Sequence, residues 1–151
     1  MRPGRWACPR KIGQFMGNSI FVDTGWFKGL IDHKDGHHDE AVEILKVIVK
    51  DKTPLITTNF VVDETFTLVR DKCGVYGAKM LFDWMQKFGM QMTTERVRAE
   101  DEGRVWKWFW YDWRELSYTD CTSFAVMERL GLKKSVTFDE HFEMAGFGLI
   151  K

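Results

Sequence analysis

Apolar positions along the chain fall into short, β-branched runs that alternate with longer stretches of three-four spacing. Residues 19–22 (SIFV) form an apolar run that ends at Asp23 and reads as a buried strand. Thr24 and Gly25 turn the chain into a short helix over WFKGLI. The polar loop DHKDGHHDE then leads to a helix from about His38 to Lys50, with Ala41, Ile44, Leu45 and Ile48 on one face. PLITT, residues 54–58, is a second strand, closed by Asn59 as the N-cap of a helix over FVVDETFTLVRDK. Gly74 breaks that helix, and YGAKMLFDWMQKFG forms another that ends at Gly89. MQMTT is a weaker strand. EDEGRVWKWFWYDW predicts one helix with its acids early, as the helix dipole favours. SYTDCTSFAVMERLG predicts the next helix, KKSVTF a fourth strand, DEHFEMA a short helix and GFGLI a fifth strand.

Strands that alternate with helices, without a tight hairpin signal, predict an α/β protein: a five-stranded parallel sheet covered by helices on both faces, in three layers. A chain of 151 residues suits one such domain, long enough to bury about two-thirds of its unfolded surface. In parallel sheets of this kind ligands bind in the crevice outside the carboxyl ends of the strands.

Charge refines this picture. Lys plus Arg and Asp plus Glu balance at 22 each, which excludes a global positive field for coating nucleic acid. Residues 1–17 carry Arg2, Arg5, Arg10 and Lys11 with no acid, leaving the remainder acidic by four. That stretch is expected to be a flexible basic extension, with Met16 as an alternative start, ahead of a single folded domain over 18–151. Cys8, Cys73 and Cys121 are odd in number and widely spaced, which fits a reducing cytoplasm. No run approaches the ~18 apolar residues of a membrane span, and the basic start lacks a signal-peptide core.

Four carboxylates fall near the predicted strand ends. Asp23 ends the first strand, Glu64 lies about one turn into the helix after the second, Asp120 opens the helix before the fourth, and Asp139 follows the fourth. Each has a plain structural reading: Asp23 and Asp139 suit helix caps, and Ser117 with Asp120 matches a capping box. Glu64 is harder to assign to solvent, because its helix is apolar at Phe60, Val61, Val62, Phe66, Leu68 and Val69 and its neighbour Asp63 points about 100° away. Gathering four acids in one crevice raises their pKa values and opposes joint ionisation. Mg²⁺ or Mn²⁺ offsets that repulsion, being a hard cation that prefers carboxylate and water oxygens. The scarcity of Cys and His among these positions argues against zinc.

The series IFVDTG, TTNFVVDETFTLV, LSYTDCTSFAVMERLG and SVTFDEHFEMAGFGLI resembles the PIN domain, particularly the toxin-like ribonucleases of bacterial toxin-antitoxin pairs. The likeness runs from about Ser19 to Ile150. It implies a Mg²⁺- or Mn²⁺-dependent endoribonuclease with a site made by Asp23, Glu64, Asp120 and Asp139. Thr24, Ser117 and Thr119 match the small hydroxyl positions beside those acids. The resemblance also implies a homodimer and a small antitoxin protein.

In such a site a metal-activated water cuts the phosphodiester in line and the ion neutralises the phosphate oxygens. Asp23 and Asp120 are expected as direct ligands, Glu64 as a ligand through water or an orienter of the attacking water, and Asp139 as peripheral support. Single-stranded or loop RNA is the expected substrate, with Lys28, Lys34, Arg70, Lys72, Lys133 and Lys134 as candidate basic rim. In VWKWFWYDW, Val105, Trp106, Phe109, Trp110 and Trp113 are expected in the core, with Trp108 and Tyr111 left over for a dimer seam or a partner helix. His33, His37 and His38 read as a polar loop in preference to a transition-metal site, and His141, close to Asp139, reads as surface packing in preference to contact with the site. Two other readings remain open: a non-catalytic PIN-like scaffold that binds RNA or protein, and a receiver-type phosphoacceptor domain.

Overall fold

Parallel pairing of five short strands organises the molecule. The computed structural model describes residues 17–89 and 91–151. Apart from Gly17, the basic extension expected over residues 1–17 lies outside the described residues, as does Cys8. Strand β1 (Ile20–Val22) is followed by α1 (Thr24–Ile31) and α2 (His38–Asp51). Strand β2 (Leu55–Thr58) leads into α3 (Asn59–Phe88), and β3 (Met92–Glu95) into α4 (Ala99–Arg104), α5 (Trp106–Phe109) and α6 (Tyr118–Leu130). Strand β4 (Lys134–Val136), α7 (His141–Met144) and β5 (Gly148–Ile150) complete the order.

The sheet runs β3-β2-β1-β4-β5. Phe21 is registered on Ile56 in one direction and on Ser135 in the other, so β1 sits at the centre. Crossovers between parallel strands are right-handed. The steps from β1 to β2 and β2 to β3 travel one way and therefore place α1, α2 and α3 on one face. The steps from β3 to β4 and β4 to β5 travel the other way and place α4 to α7 on the opposite face. Direction reverses at β1 and β4, which is where a crevice opens outside the strand ends.

The strands are apolar on both faces, as a doubly covered sheet requires. Phe21, Val22, Leu55 and Val136 are fully buried, and Trp26, Phe27, Phe124 and Phe142 bring aromatic bulk from α1, α6 and α7. α6 is buried at every position from Asp120 to Met127, on all sides of the helix. Gly74 adopts φ 69 and ψ −170 inside α3, a conformation natural only to glycine, and kinks the helix where the sequence predicts a break.

Two expectations need correction. Asn59 does not cap α3; Thr58 does, its hydroxyl accepting the Val61 N–H at 3.1 Å. Asn59 instead accepts the Val97 N–H at 2.8 Å and so ties α3 to the segment after β3. The single helix expected over EDEGRVWKWFWYDW is two short ones, and the chain leaves helical geometry after Phe109. There Val105, Trp108 and Tyr111 each donate to the carbonyl three residues back, which winds the backbone at close to three residues per turn. The inner face consequently carries Val105 and Trp108, both buried, while Trp106 and Trp110 are exposed. This exchanges Trp108 for Trp106 and Trp110 relative to the 3.6-residue expectation, whereas Val105 is buried, Phe109 and Trp113 pack against the core and Tyr111 is exposed, as expected.

Candidate active site

β1 and β4 end side by side, and each delivers a carboxylate to the same edge. Asp23 follows β1 at the N-cap position of α1, but its side chain caps nothing. It accepts the Thr137 hydroxyl at 2.9 Å instead, across 114 residues of sequence. Thr137 in turn accepts the Asp139 N–H at 3.0 Å, so one hydroxyl fixes both acids against the end of β4.

Glu64 projects from the second turn of α3, half-buried, while Asp63 is exposed. The Thr24 hydroxyl donates to Glu64 at 2.5 Å. Thr65 backs this contact, donating to the Val61 carbonyl at 2.6 Å and lying 3.4 Å from Thr24. Asp120 comes from the first turn of α6. Its carboxylate accepts the Ser117 N–H at 2.8 Å and the Ser117 hydroxyl accepts the Asp120 N–H at 3.0 Å, a complete capping box. The cap uses the Oδ2 atom of Asp120. Thr119 serves through its backbone, its carbonyl accepting the hydroxyls of Thr122 and Ser123.

Ligand atoms of Asp120, Asp139 and His141 lie within 4.8 Å of one another. His141 Nδ1 stands 2.8 Å from Asp139 Oδ1, in a geometry that closes no hydrogen bond. Asp139 also accepts the His141 N–H at 2.9 Å, so it supports the start of α7 while facing the other acids. Of the two readings open for His141, contact with the site is the one the geometry has, while Thr137 and Thr65 are contributors that the sequence reading did not single out. The signal was the T-x-D-x-H spacing of Thr137, Asp139 and His141, which places one hydroxyl and one imidazole two residues either side of an acid.

Electrostatics sets these acids apart from ordinary carboxylates. Burial, and then repulsion from Asp120, push Asp23 up to about 7, against the opposing hydrogen bonds from Thr24 and Thr137. Burial is also the largest cause for Asp120, which rises to about 6 despite its bonds to Ser117, with Asp139 and Glu64 adding repulsion. The carboxylates are therefore close enough to oppose one another's ionisation, and a cation at this edge relieves both. The donor set of carboxylate oxygens and one imidazole fits a hard divalent ion.

The basic rim is sparser than expected. Lys28 pairs with Asp32 at 3.4 Å and with Asp35, closing the loop after α1. Lys133 and Lys134 stand at the start of β4, the opposite edge of the sheet from Asp23. His33 and His38 contact each other at 3.1 Å, and His38 also reaches the Gly29 carbonyl, so this loop is self-contained.

A parallel sheet whose order of strand addition reverses between β1 and β4, with acids from four separate segments near that edge, defines an α/β protein with a buried acidic cluster. The chain belongs to the PIN domain family, whose profile matches residues 20–148. It is 35% identical over 130 residues to the 23S rRNA-specific endonuclease VapC20 of Mycobacterium tuberculosis, covering 85% of this chain and 95% of that protein. A VapC ribonuclease of Archaeoglobus fulgidus is 32% identical over 137 residues, covering 86% and 83%. The crystal structure of the M. tuberculosis protein, described as a sarcin-ricin loop cleaving toxin, superposes with a TM-score of 0.72 over 85% of this chain and 95% of that one. VapBC2 from Rickettsia felis, bound to a promoter DNA fragment, shares the fold at a TM-score of 0.63 and 12% identity, over 87% of this chain and 97% of that one.

Proposed function

We propose that the chain is a divalent-metal-dependent endoribonuclease and the toxin of a toxin-antitoxin pair. The observation that carries this reading is the convergence of acids at one sheet edge: Asp120 and Asp139 with ligand atoms within 4.8 Å, and Asp23 tied to Asp139 through Thr137, where burial and mutual repulsion raise the pKa of Asp23 and Asp120. Membership of the PIN family supports it and leaves no role for a receiver-type phosphoacceptor. Bound there, Mg²⁺ or Mn²⁺ supplies charge neutralisation at the phosphate and a water acidic enough to attack it.

This chain's own residues do the rest. Asp23 and Asp120 would hold the cation, with Asp139 beside them, and Thr137 fixes Asp23 and Asp139 relative to each other. Glu64, kept in place by Thr24, orients the attacking water. Ser117 and Thr119 shape the first turn of α6 so that Asp120 faces the edge. The substrate is single-stranded or loop RNA in the cytoplasm, and a ribosomal RNA loop is the first to try, given what the M. tuberculosis relative cleaves. A small antitoxin protein and a second copy of the chain are its protein partners.

Cleavage of ribosomal and transfer RNA in Mg²⁺ or Mn²⁺ tests this, with wild type beside Asp23→Asn and Asp120→Asn. Both variants should lose at least about 100-fold in rate, the scale expected when a group stabilising charge in the transition state is removed. Unchanged cutting by the two variants overturns the site assignment. Absence of cutting by wild type favours the RNA- or protein-binding scaffold.

A further inference from the structure

A row of near-parallel rings leads from solvent to the carboxylates. Tyr111, 54% exposed, stacks on Trp113 with centroids 5.0 Å apart and planes 20° from parallel. Trp113 lies within 10° of parallel to the His141 imidazole at 6.1 Å, and His141 stands 2.8 Å from Asp139. A second pair, Trp106 and Trp110, stacks at 5.2 Å and 17°. Its outer ring is 74% exposed, and its inner ring meets the edge of Tyr118, two residues before Asp120. Both rows come from the segment that leaves helical geometry after Phe109. The left-handed backbone at Glu115, φ 64, turns that segment into the capped start of α6.

We propose that this segment is a base-stacking platform, on which Trp110 and Tyr111 receive unpaired bases flanking the phosphodiester that the carboxylates address. The inference rests on the endoribonuclease reading and adds how that site holds its substrate. An acidic edge repels the RNA backbone, so affinity has to come from around it, and Lys28 is already committed to Asp32 and Asp35. Unstacked bases bind flat aromatic faces without regard to sequence. Arg114 follows Trp113 in sequence with its side chain 93% exposed, and its pairing with Glu115 is long, at 3.8 Å. The exposed valines are Val47, Val49 and Val75 on α2 and α3, while the exposed apolar side chains of this segment are Trp106, Trp110 and Tyr111.

The test separates binding from cutting by using full-length Asp23→Asn chain. Fluorescence titrations compare a single-stranded 12-nucleotide RNA, an abasic oligomer of the same length and a duplex. The single strand should quench tryptophan fluorescence, and adding Trp110→Ala with Tyr111→Ala should weaken its binding by about 5–100-fold. Trp110→Phe with Tyr111→Phe should restore most of the affinity, and abasic and duplex binding should not respond to either pair. Both side chains are exposed, so an unchanged melting temperature is the check on folding. Equal losses for the abasic oligomer, or a change in oligomeric state with RNA affinity intact, overturn the platform and identify a protein-facing surface. If otherwise wild-type chain carrying the alanine pair cuts RNA with unaltered KM, the platform fails and the nuclease reading stands. If wild type neither binds nor cuts RNA, both fail.

Discussion

Asp120 carries two duties at one residue, and they separate by oxygen atom and by substitution. Its Oδ2 accepts the Ser117 N–H within the capping box. Ser117→Ala removes the hydroxyl that satisfies the Asp120 N–H and should lower stability by about 1 kcal/mol in a denaturant titration, while most activity remains. Asp120→Asn keeps an acceptor for the cap and removes the charge. It should therefore lose divalent-ion binding by calorimetry and RNA cleavage, with little loss of stability. The capping box was legible from the sequence because its pattern is local. His141 was not, because whether an imidazole two residues past Asp139 faces the acids or solvent depends on the turn between them, which Thr137 and the Asp139 carboxylate set through their bonds.

Among the elements, α6 is tied at its end to α4 and β3 by an ion-pair network. Arg129, near its end, donates to Asp101 of α4 at 2.7 and 2.9 Å and to Glu95 of β3 at 3.0 Å. Asp101 is fully buried. Burial alone would raise its pKa, but the bonds from Arg129 and from the Arg98 N–H outweigh it and hold the carboxyl below the ordinary range. Arg129→Met leaves that charge buried and unpaired and should cost about 3–5 kcal/mol, read from chemical unfolding. The strands, the helix break at Gly74 and the buried run of α6 were readable from periodicity. The tryptophan-rich stretch was not, since hydrogen bonds to the third residue back exchange Trp108 for Trp106 and Trp110 at the inner face. Hydrophobic spacing carries no information about that tighter winding.

For the molecule as a whole, the acids that define the site also oppose the fold. Asp23 near 7 and Asp120 near 6 stand above their common unfolded value of 3.8. Between those limits the folded chain binds more protons than the unfolded one, so stability is greatest below about pH 4 as far as these groups decide it, and declines as pH rises through 6 to 7. Metal-free protein should accordingly melt lower at pH 8 than at pH 5.5, and Asp23→Asn should flatten that difference. Added Mg²⁺ should raise the melting temperature at pH 8 and do little at pH 5.5, because binding to the folded state alone stabilises it. Equal melting at the two pH values, with or without Mg²⁺, would contradict this account. The parallel topology and the order of the four acids along the chain were legible at this scale. Their shared edge became certain only with the strand order, since sequence does not say that β4 lies next to β1.

That adjacency has a consequence for how the protein is made. β1 finds its partner β4, and Asp23 finds Thr137, only across 114 residues, so the site is among the last features a growing chain completes. Until β4 has emerged, Asp23 faces neither Thr137 nor Asp139, and the acids of this edge are not yet assembled. Long-range closure of this kind is slow by its nature. Completion of the acidic edge is therefore tied to the docking of β4 on β1 rather than to the folding of any one local segment.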